Sequence, residues 1–219
     1  MLPRVHAEIT RRALVALLTT HALDSIVAAN LQLDAPWNQL GHDELHFDNN
    51  AFDRSNSFIT GQRALIRPAL ESGRPRGAWQ AFGRLTHTAQ DFYSHSNYVT
   101  LWLARQPNGA RPAPTEIEPL DAGIMESPAL HSGRPHMPFG VLSFVPGIGK
   151  WVDRMLPPDS HARMNLDSAA RGPDFEYAFH AAAMRTVHEY RLLTASLPLA
   201  LILRFRGCPS QAASLQLSD

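Results

Sequence analysis

Cysteine is nearly absent from this sequence, since Cys208 is the only one among 219 residues. A single cysteine excludes an intramolecular disulfide and a cysteine-rich zinc site. Any metal ion bound by this chain must therefore be held by histidine and carboxylate side chains, and the 11 histidines supply enough imidazole for that. A chain without disulfides suits the cytoplasm but does not establish that location.

An excess of charge is also missing, because the 20 basic and 20 acidic residues cancel. A large groove that tracks nucleic-acid phosphates is therefore not indicated, although a metal site can itself supply positive charge to a polyanion. Several enzyme motifs are absent as well: the sequence contains no HExxH, no GxSxG and no glycine-rich phosphate loop. These absences argue against the common metalloprotease, serine hydrolase and nucleotide-binding classes.

Long hydrophobic runs are lacking too. The most apolar late stretch, residues 197–205, covers about nine residues, whereas a membrane crossing needs about 20. The N-terminal segment carries charges inside its apolar stretch and so lacks the core of a signal peptide. We therefore expect no signal peptide and no transmembrane helix in the chain as given, which leaves its location open between the cytoplasm and export by a non-classical route.

What the sequence does contain is helical periodicity, and no run alternates like a strand. Apolar spacing predicts helices over residues 6–33 (with a break near Thr19), 57–70, 76–103 and 173–197. Ten of the 17 prolines lie between residues 107 and 158. The sequence thus predicts an all-α fold, one domain over residues 1–219, with a long irregular Pro/Gly-rich loop insertion over residues 106–160.

The stretch RLTHTAQDFYSHSNY, residues 84–98, places His87, Asp91 and His95 four residues apart. Four residues advance a helix by about 400°, so each step drifts by only about 40° and the three side chains share one broad face. Zinc accepts imidazole and carboxylate ligands in four-coordinate sites. The spacing favours a metal site over structural or solvated histidines, with further ligands supplied from elsewhere in the chain.

Other candidate ligands are weak when each is considered alone. The segment HFDN places His46 and Asp48 two residues apart in a polar loop. The segment HARMNLD places His161 and Asp167 six residues apart after the proline-rich stretch. His6 opens the first helix, where a surface histidine is the ordinary interpretation. These residues gain weight only if the fold brings them together.

The order of these motifs resembles a known family. HAEITRRAL, the HFDN box and LTHTAQDFYSHSNYV are similar to segments of the heterokaryon-incompatibility C (Het-C) proteins and their bacterial relatives. DSHARMNLDSAARGPDFEYA is similar to a late motif of that family. Through Het-C the chain resembles the superfamily of zinc-dependent phospholipases C and single-strand zinc nucleases. The resemblance spans roughly residues 5–192 and implies an all-α domain with two or three zinc ions in a cleft.

The resemblance also implies a role for each candidate residue. Asp91 is expected to bridge two metal ions, and His95 to belong to a separate zinc with His161 and Asp167. The resemblance implies Asp34 as the general base, and for the expected mechanism a carboxylate, Asp34 or Asp48, accepts the proton of the water. The full set of implied metal ligands is His6, Asp34, His46, His87, Asp91, His95, His161 and Asp167.

Two departures from the superfamily pattern concern the zinc near His95. Only three residues separate Asp91 from His95, where the best-known relatives have a longer gap. The late HxxxE/D pair is not matched, because Asn165 stands four residues after His161. The third ligand of that zinc therefore stays open, as does any metal contact by the amino group of Met1.

The expected activity is zinc-dependent hydrolysis of phosphodiester bonds, and the resemblance favours phospholipid headgroups, a phospholipase C-like reaction. Residues 141–152 combine apolar side chains with Trp151 and Lys150, which suits a peripheral membrane contact or, equally, packing onto the domain. Nucleic acid is a less favoured substrate, since a nuclease needs aromatic platforms and the available ones also fit a core: Phe92, Tyr93 and Tyr98. A zinc-stabilised interaction module without catalysis is the third interpretation, and the sequence does not fix the oligomeric state.

Overall fold

A computed structural model of the chain describes residues 1–39, 41–135 and 155–208. Every regular element in these ranges is helical, and the strand-like pairing there consists of two isolated bridges, Ser96 with Ser132 and Arg134 with Ser160. The predicted all-α class is therefore confirmed. The expected membrane-contact segment 141–152, and with it the middle of the expected insertion, lies outside the described residues.

Ten α-helices are described. In chain order they are α1 Pro3–Leu14, α2 Thr20–Leu31, α3 Asp43–His46, α4 Phe52–Glu71, α5 Pro75–His95, α6 Tyr98–Ala104, α7 Ala122–Met125, α8 His161–Met164, α9 Asp174–Ala195 and α10 Leu199–Phe205. Short 3-10 turns lie between some of them, and two of these follow α2 directly: Gln32–Asp34 and Pro36–Asn38.

Most helix boundaries follow local sequence signals. Thr19 caps α2, because its hydroxyl accepts a hydrogen bond from the backbone N–H of Ala22 at 3.4 Å. Pro198 separates α9 from α10, as expected of a residue that cannot continue a helix. In the described part of the chain no helix is both long and apolar enough to cross a bilayer.

The helix predicted over residues 76–103 is instead two helices, α5 and α6. The chain leaves the helical conformation at Ser96, whose φ is −106° and ψ is 166°. Asn97 then donates its backbone N–H to the carbonyl oxygen of His131 at 3.0 Å. The break depends on this contact with a distant segment, so local periodicity does not reveal it.

Helix α5 is the central element of the fold and packs mainly against α2, α4 and α9. Its second half is buried on nearly all sides, polar residues included. The crossing with α2 is close at Gly83, where a β-carbon would lie only 2.8 Å from the β-carbon of Ala29. This close approach brings the end of α2, and with it Asp34, next to the face of α5 that carries His87.

Candidate metal centre

Nine side chains with metal-binding or proton-accepting chemistry converge around α5, and each lies within 4 Å of another member of the set. They come from α1, the turn after α2, the end of α3 and its following loop, α5 itself, and α8 with the loop beyond it. We call this set the His/Asp cluster: His6, Asp34, His46, Asp48, His87, Asp91, His95, His161 and Asp167.

Asp91 is the fully buried carboxylate at the middle of the His/Asp cluster. Its Oδ2 lies 3.0 Å from Nδ1 of His46 and 3.1 Å from Nε2 of His87. Its Oδ1 lies 3.1 Å from Nε2 of His6 and 3.8 Å from Nε2 of His95. Each oxygen therefore faces a different pair of imidazoles, which is the arrangement of a carboxylate able to bridge two metal ions.

The side of Asp91 that faces His46 and His87 has the dimensions of a zinc site. The Nε2 atom of His87 lies 3.3 Å from Nδ1 of His46, so the three ligand atoms form a triangle with edges of 3.0, 3.1 and 3.3 Å. A tetrahedral zinc with bonds of about 2.1 Å keeps its ligand atoms about 3.4 Å apart. The residues present therefore fit a zinc ion at this position.

The hydrogen bonding of His46 supports the same conclusion. Its Nε2 lies 3.3 Å from the carbonyl oxygen of Asn38, which can only accept, so Nε2 carries a hydrogen. In the neutral ring Nδ1 is then a bare lone pair facing the Asp91 carboxylate. Burial lowers the pKa of His46, but its hydrogen bond and charge interaction with Asp91 outweigh this and raise it. The site thus attracts a cation, either a proton or a metal ion.

Three buried polar atoms of the cluster have no hydrogen-bond partner: Nε2 of His6, Nδ1 of His87 and Oδ2 of Asp34. The Nε2 atom of His6 is close to Asp91, but the geometry does not make a hydrogen bond. Buried polar groups in folded proteins are almost always paired. These same three residues each offer a ligand atom, and the three ligand atoms lie within 4.8 Å of one another, so the residues form a second candidate group for an ion.

A third group of ligand atoms within 4.8 Å of one another joins Asp48, His95 and His161. His161 donates from Nδ1 to Oδ1 of Asp48 at 2.7 Å. His95, however, uses Nδ1 to donate to the carbonyl oxygen of His46 at 2.8 Å, which leaves Nε2 as its free lone pair. That atom lies 3.2 Å from Oδ1 of Asp167. Hydrogen bonding therefore favours Asp167 over Asp48 as the carboxylate that shares an ion with His95.

The amino group of Met1 already places a positive charge among these carboxylates. It lies 2.5 Å from Oδ1 of Asp91, 3.2 Å from Oδ1 of Asp167 and 3.4 Å from Nε2 of His95. Burial acts to lower the pKa of this amino group, but Asp167 and Asp91 outweigh it and raise the pKa to about 11. This part of the His/Asp cluster is thus electrostatically suited to a cation.

Burial and charge also set the ionisation of the remaining ligands. Burial lowers the pKa of His87 to about 4 and lowers that of His6, so both rings are neutral at neutral pH, the form that binds metal. Burial alone would raise the pKa of Asp91, but the Met1 amino group and His95 hold it well below its usual range. Burial raises the pKa of Asp34, although the interaction with His87 acts to lower it.

The HFDN segment reaches two parts of the cluster because residues in and beside it adopt the left-handed backbone conformation. Phe47, Asn49 and Asn50 have φ values of 56°, 53° and 56°. Asparagine tolerates this conformation, whereas for Phe47 it is unusual and is accompanied by burial of the ring. The resulting turn directs His46 toward Asp91 and Asp48 toward His161.

Residues 131–135 contact several segments on the far side of the cluster, and no motif in the sequence predicts this. Gly133 donates its N–H to the carbonyl oxygen of His95 and accepts from the N–H of Asn49, both at 2.8 Å. A β-carbon at Gly133 would lie 2.6 Å from the α-carbon of His161. This segment therefore fixes the spacing between α5, the HFDN loop and α8.

A second feature that sequence reasoning missed is a buried polar network behind His6. Gln90 is central to it and contacts Thr10, Asn30 and Thr186. The sequence THTAQ could have indicated this network, because it places polar residues at core positions of a helix that is otherwise apolar there. Buried polar side chains need hydrogen-bond partners, so such residues predict a network.

Comparison with known proteins gives a match to a family model. A family model described as the VWA7 N-terminal domain matches residues 6–109, just under half of the chain. The matched part includes seven members of the His/Asp cluster and leaves out His161 and Asp167. No curated protein and no solved structure matches the chain. The resemblance to the Het-C and zinc-dependent phospholipase C families is therefore wrong, because the family that matches is a different one.

Proposed function

We propose that this chain is a zinc-dependent hydrolase of phosphodiester bonds, with a phospholipase C type of reaction on phospholipid headgroups. The observation that carries the proposal is Asp91, a buried carboxylate whose two oxygens face different pairs of histidine nitrogens. Clusters of two or more metal ions that share a ligand are typical of enzymes that cleave phosphodiesters by in-line displacement. The three groups of ligand atoms, of which two share His87, support two or three zinc ions, with Asp167 preferred to Asp48 beside His95.

Zinc, when bound, polarises phosphoryl oxygens and lowers the pKa of water toward about 7. The chain itself supplies the proton acceptor, and the geometry favours Asp34 for this role. Its side chain is 16% exposed and its Oδ2 has no hydrogen-bond partner. Asp48, the other carboxylate considered, is already engaged by Nδ1 of His161. We therefore assign to Asp34 the transfer of a proton from water, beside its proposed contact with an ion.

Exposed apolar side chains beside the centre support a lipid substrate. Trp37 is 72% exposed on the turn that follows Asp34, and Leu2 is 40% exposed next to Met1. Tryptophan and leucine at a rim suit contact with a membrane interface. The aromatic residues considered as platforms for nucleic-acid bases are buried in the core and unavailable for stacking: Phe92, Tyr93 and Tyr98.

A second candidate is a zinc-stabilised module without catalysis. It is favoured by the complete burial of His6, His87 and Asp91, because structural zinc sites are closed by protein ligands. The two candidates differ in whether a coordination position is open to water and substrate. Activity measurements on the zinc-loaded protein separate them.

The test is to purify the protein without chelator, measure metal content by mass spectrometry, and assay a choline phospholipid beside single-stranded DNA. We expect bound zinc and hydrolysis of the phospholipid. Asp34→Asn should lower kcat by roughly 10²–10⁴-fold if Asp34 is the base, whereas Asp24→Asn, at an exposed ion pair with Arg11, should not.

The outcomes separate the alternatives. A protein that holds no zinc, and gains no activity when zinc is added, would sink the proposal. Cleavage of DNA in preference to phospholipid would show that the substrate is nucleic acid, and the proposed phosphodiester hydrolysis would stand. Bound zinc with no hydrolysis of either substrate would favour the non-catalytic module.

A further inference from the structure

The orientation of the Gln90 side chain is fixed by hydrogen bonds that begin at a backbone carbonyl on α9. The hydroxyl of Thr186 donates to the carbonyl oxygen of Ala182 at 2.8 Å, which leaves its oxygen as an acceptor. Nε2 of Gln90 donates to that oxygen, and also to Oγ1 of Thr10, both at 3.0 Å. The amide nitrogen of Gln90 therefore faces the two hydroxyls, and its oxygen must face the other way.

The amide oxygen of Gln90 in turn fixes the hydrogen on His6. Oε1 of Gln90 lies 2.7 Å from Nδ1 of His6 and also accepts from Nδ2 of Asn30 at 3.2 Å. An amide oxygen can only accept, so Nδ1 of His6 carries the hydrogen. A neutral imidazole has one ring hydrogen, so Nε2 is a bare lone pair. That atom lies 3.1 Å from Oδ1 of Asp91.

We infer that Gln90 is a positioning residue that sets the tautomer of His6 and thereby presents the Nε2 lone pair of His6 to the metal centre. The alternative tautomer would place the ring hydrogen on Nε2, 3.1 Å from Oδ1 of Asp91, and Nε2 would then have no lone pair for an ion. The lone pair of His6 would lie on Nδ1 instead, where it faces the oxygen of Gln90 and not the metal centre. Gln90 prevents this by offering Nδ1 the better partner.

The consequence for metal binding rests on the proposed function, whereas the tautomer of His6 does not. All five network residues are fully buried, and they come from four helices, α1, α2, α5 and α9: Thr10, Asn30, Thr86, Gln90 and Thr186. Partners outside the first ligands of a metal commonly orient a histidine in this way, and their loss costs about 10–100-fold in metal affinity.

The first experiment reads the tautomer directly, by ¹⁵N NMR of the histidine ring in the protein as purified and after chelation. We expect His6 of the wild-type protein to carry its hydrogen on Nδ1 in both samples. Gln90→Met, which keeps length but removes the acceptor, should move His6 to the other tautomer or to a mixture after chelation. A wild-type His6 with hydrogen on Nε2, or no change in the Gln90→Met variant, would overturn the inference.

The second experiment measures zinc affinity by competition with a chelator of known strength. Gln90→Met should lower the affinity by roughly 10–100-fold, and Gln90→Glu should restore part of it because a carboxylate also accepts from Nδ1. The control is Thr86→Val, which removes a hydroxyl that bonds to Asn30 but does not touch His6. It should lower stability without lowering zinc affinity.

Equal loss of zinc affinity in Gln90→Met and Thr86→Val would mean that the network acts only on stability, and the positioning role would be rejected. A wild-type protein that binds no zinc at all would reject the proposed function. In that case the NMR measurement still decides whether Gln90 sets the tautomer of His6, so the two failures are distinguishable.

Discussion

Asp91 lies close to more candidate ligands than any other residue described. It is fully buried and lies close to four histidines, two on each oxygen. An unpaired buried carboxylate is costly, so its charge must be matched by protons, by an amino group or by metal ions. The residue is therefore where the number of bound metals is most directly tested.

Asp91→Asn should remove more than one metal ion, because an amide cannot bridge two zinc ions as a carboxylate does. Metal content by mass spectrometry, expressed per chain, is the measurement. Asp24→Asn is the control, since Asp24 lies in an exposed ion pair with Arg11 and does not belong to the cluster. Loss of a single ion, or of none, would show that Asp91 does not bridge.

Glu189 is a second fully buried carboxylate, and it has a structural role outside the centre. It accepts from Arg63 at 2.5 Å and from Arg185 at 2.8 Å. Burial acts to raise the pKa of Glu189, but the two guanidinium groups outweigh this and hold it below its ordinary value of 4.5. Its contribution to stability is therefore complete above that value and is lost as the pH falls through the lower pKa of the folded state.

Glu189→Gln should lower the free energy of unfolding at neutral pH by about 3 kcal/mol, toward the low end for a broken buried ion pair because Arg63 is partly exposed. Denaturant titrations from neutral pH to below pH 4.5 should show the difference from wild type shrinking in acid. Glu71→Gln, at an exposed pair with Arg67, is the control and should change little. A difference that is constant or grows in acid contradicts this account.

At the scale of elements, the cluster is built on α5 and completed by short segments without regular structure. The HFDN loop, residues 131–135 and the start of α8 meet where α5 ends. Their spacing is set by backbone hydrogen bonds and by one close approach, that of Gly133 to His161. The site should therefore be sensitive to substitutions in residues 131–135, although that segment contributes no member of the cluster.

Gly133→Ala should displace His161 and lower metal content by one ion, leaving the ions around Asp91 in place. The physical reason is the 2.6 Å distance between an added β-carbon and the α-carbon of His161, which forces the backbone of α8 to move. Gly61→Ala is the matched control, because its β-carbon would meet nothing within 4 Å. Unchanged metal content in Gly133→Ala would show that His161 holds no ion.

At the scale of the whole molecule, the cluster joins residues that are far apart in the chain. His6 stands near the N terminus, and His161 and Asp167 lie more than 150 residues later. The ligands meet only when α1, α3, α5 and α8 have packed, so an ion that binds them binds the folded state alone. Metal binding and folding are then linked by mass action.

Removal of metal should lower the melting temperature markedly. One site saturated at about 1,000 times its Kd contributes about 4 kcal/mol, which corresponds to roughly 8–16 °C for a chain of this size. Thermal unfolding with chelator, and again after zinc is added back, is the measurement. A melting temperature that does not respond to either treatment would mean that the fold does not depend on metal.

The all-α class and the common face of His87, Asp91 and His95 on α5 were accessible from the sequence because both are local. Apolar residues at helical spacing decide the class, and the spacing of four decides that His87, Asp91 and His95 share a face. The family was not accessible in the same way. Short motifs of histidine and aspartate meet the chemical requirements of metal binding, so they recur in unrelated metal-binding helices. For this reason they indicated the wrong family here.

The sequence by itself determined that the fold is helical and which histidines and aspartates are the candidate ligands. The tertiary structure alone decided how they combine: that α5 ends at Ser96, that Asp48 pairs with His161, and that Gln90 selects the free nitrogen of His6. The physical reason is that a hydrogen-bond partner, unlike a helical period, is set by groups far away in the chain. Which nitrogen of a histidine is free depends on what the fold brings to the other one.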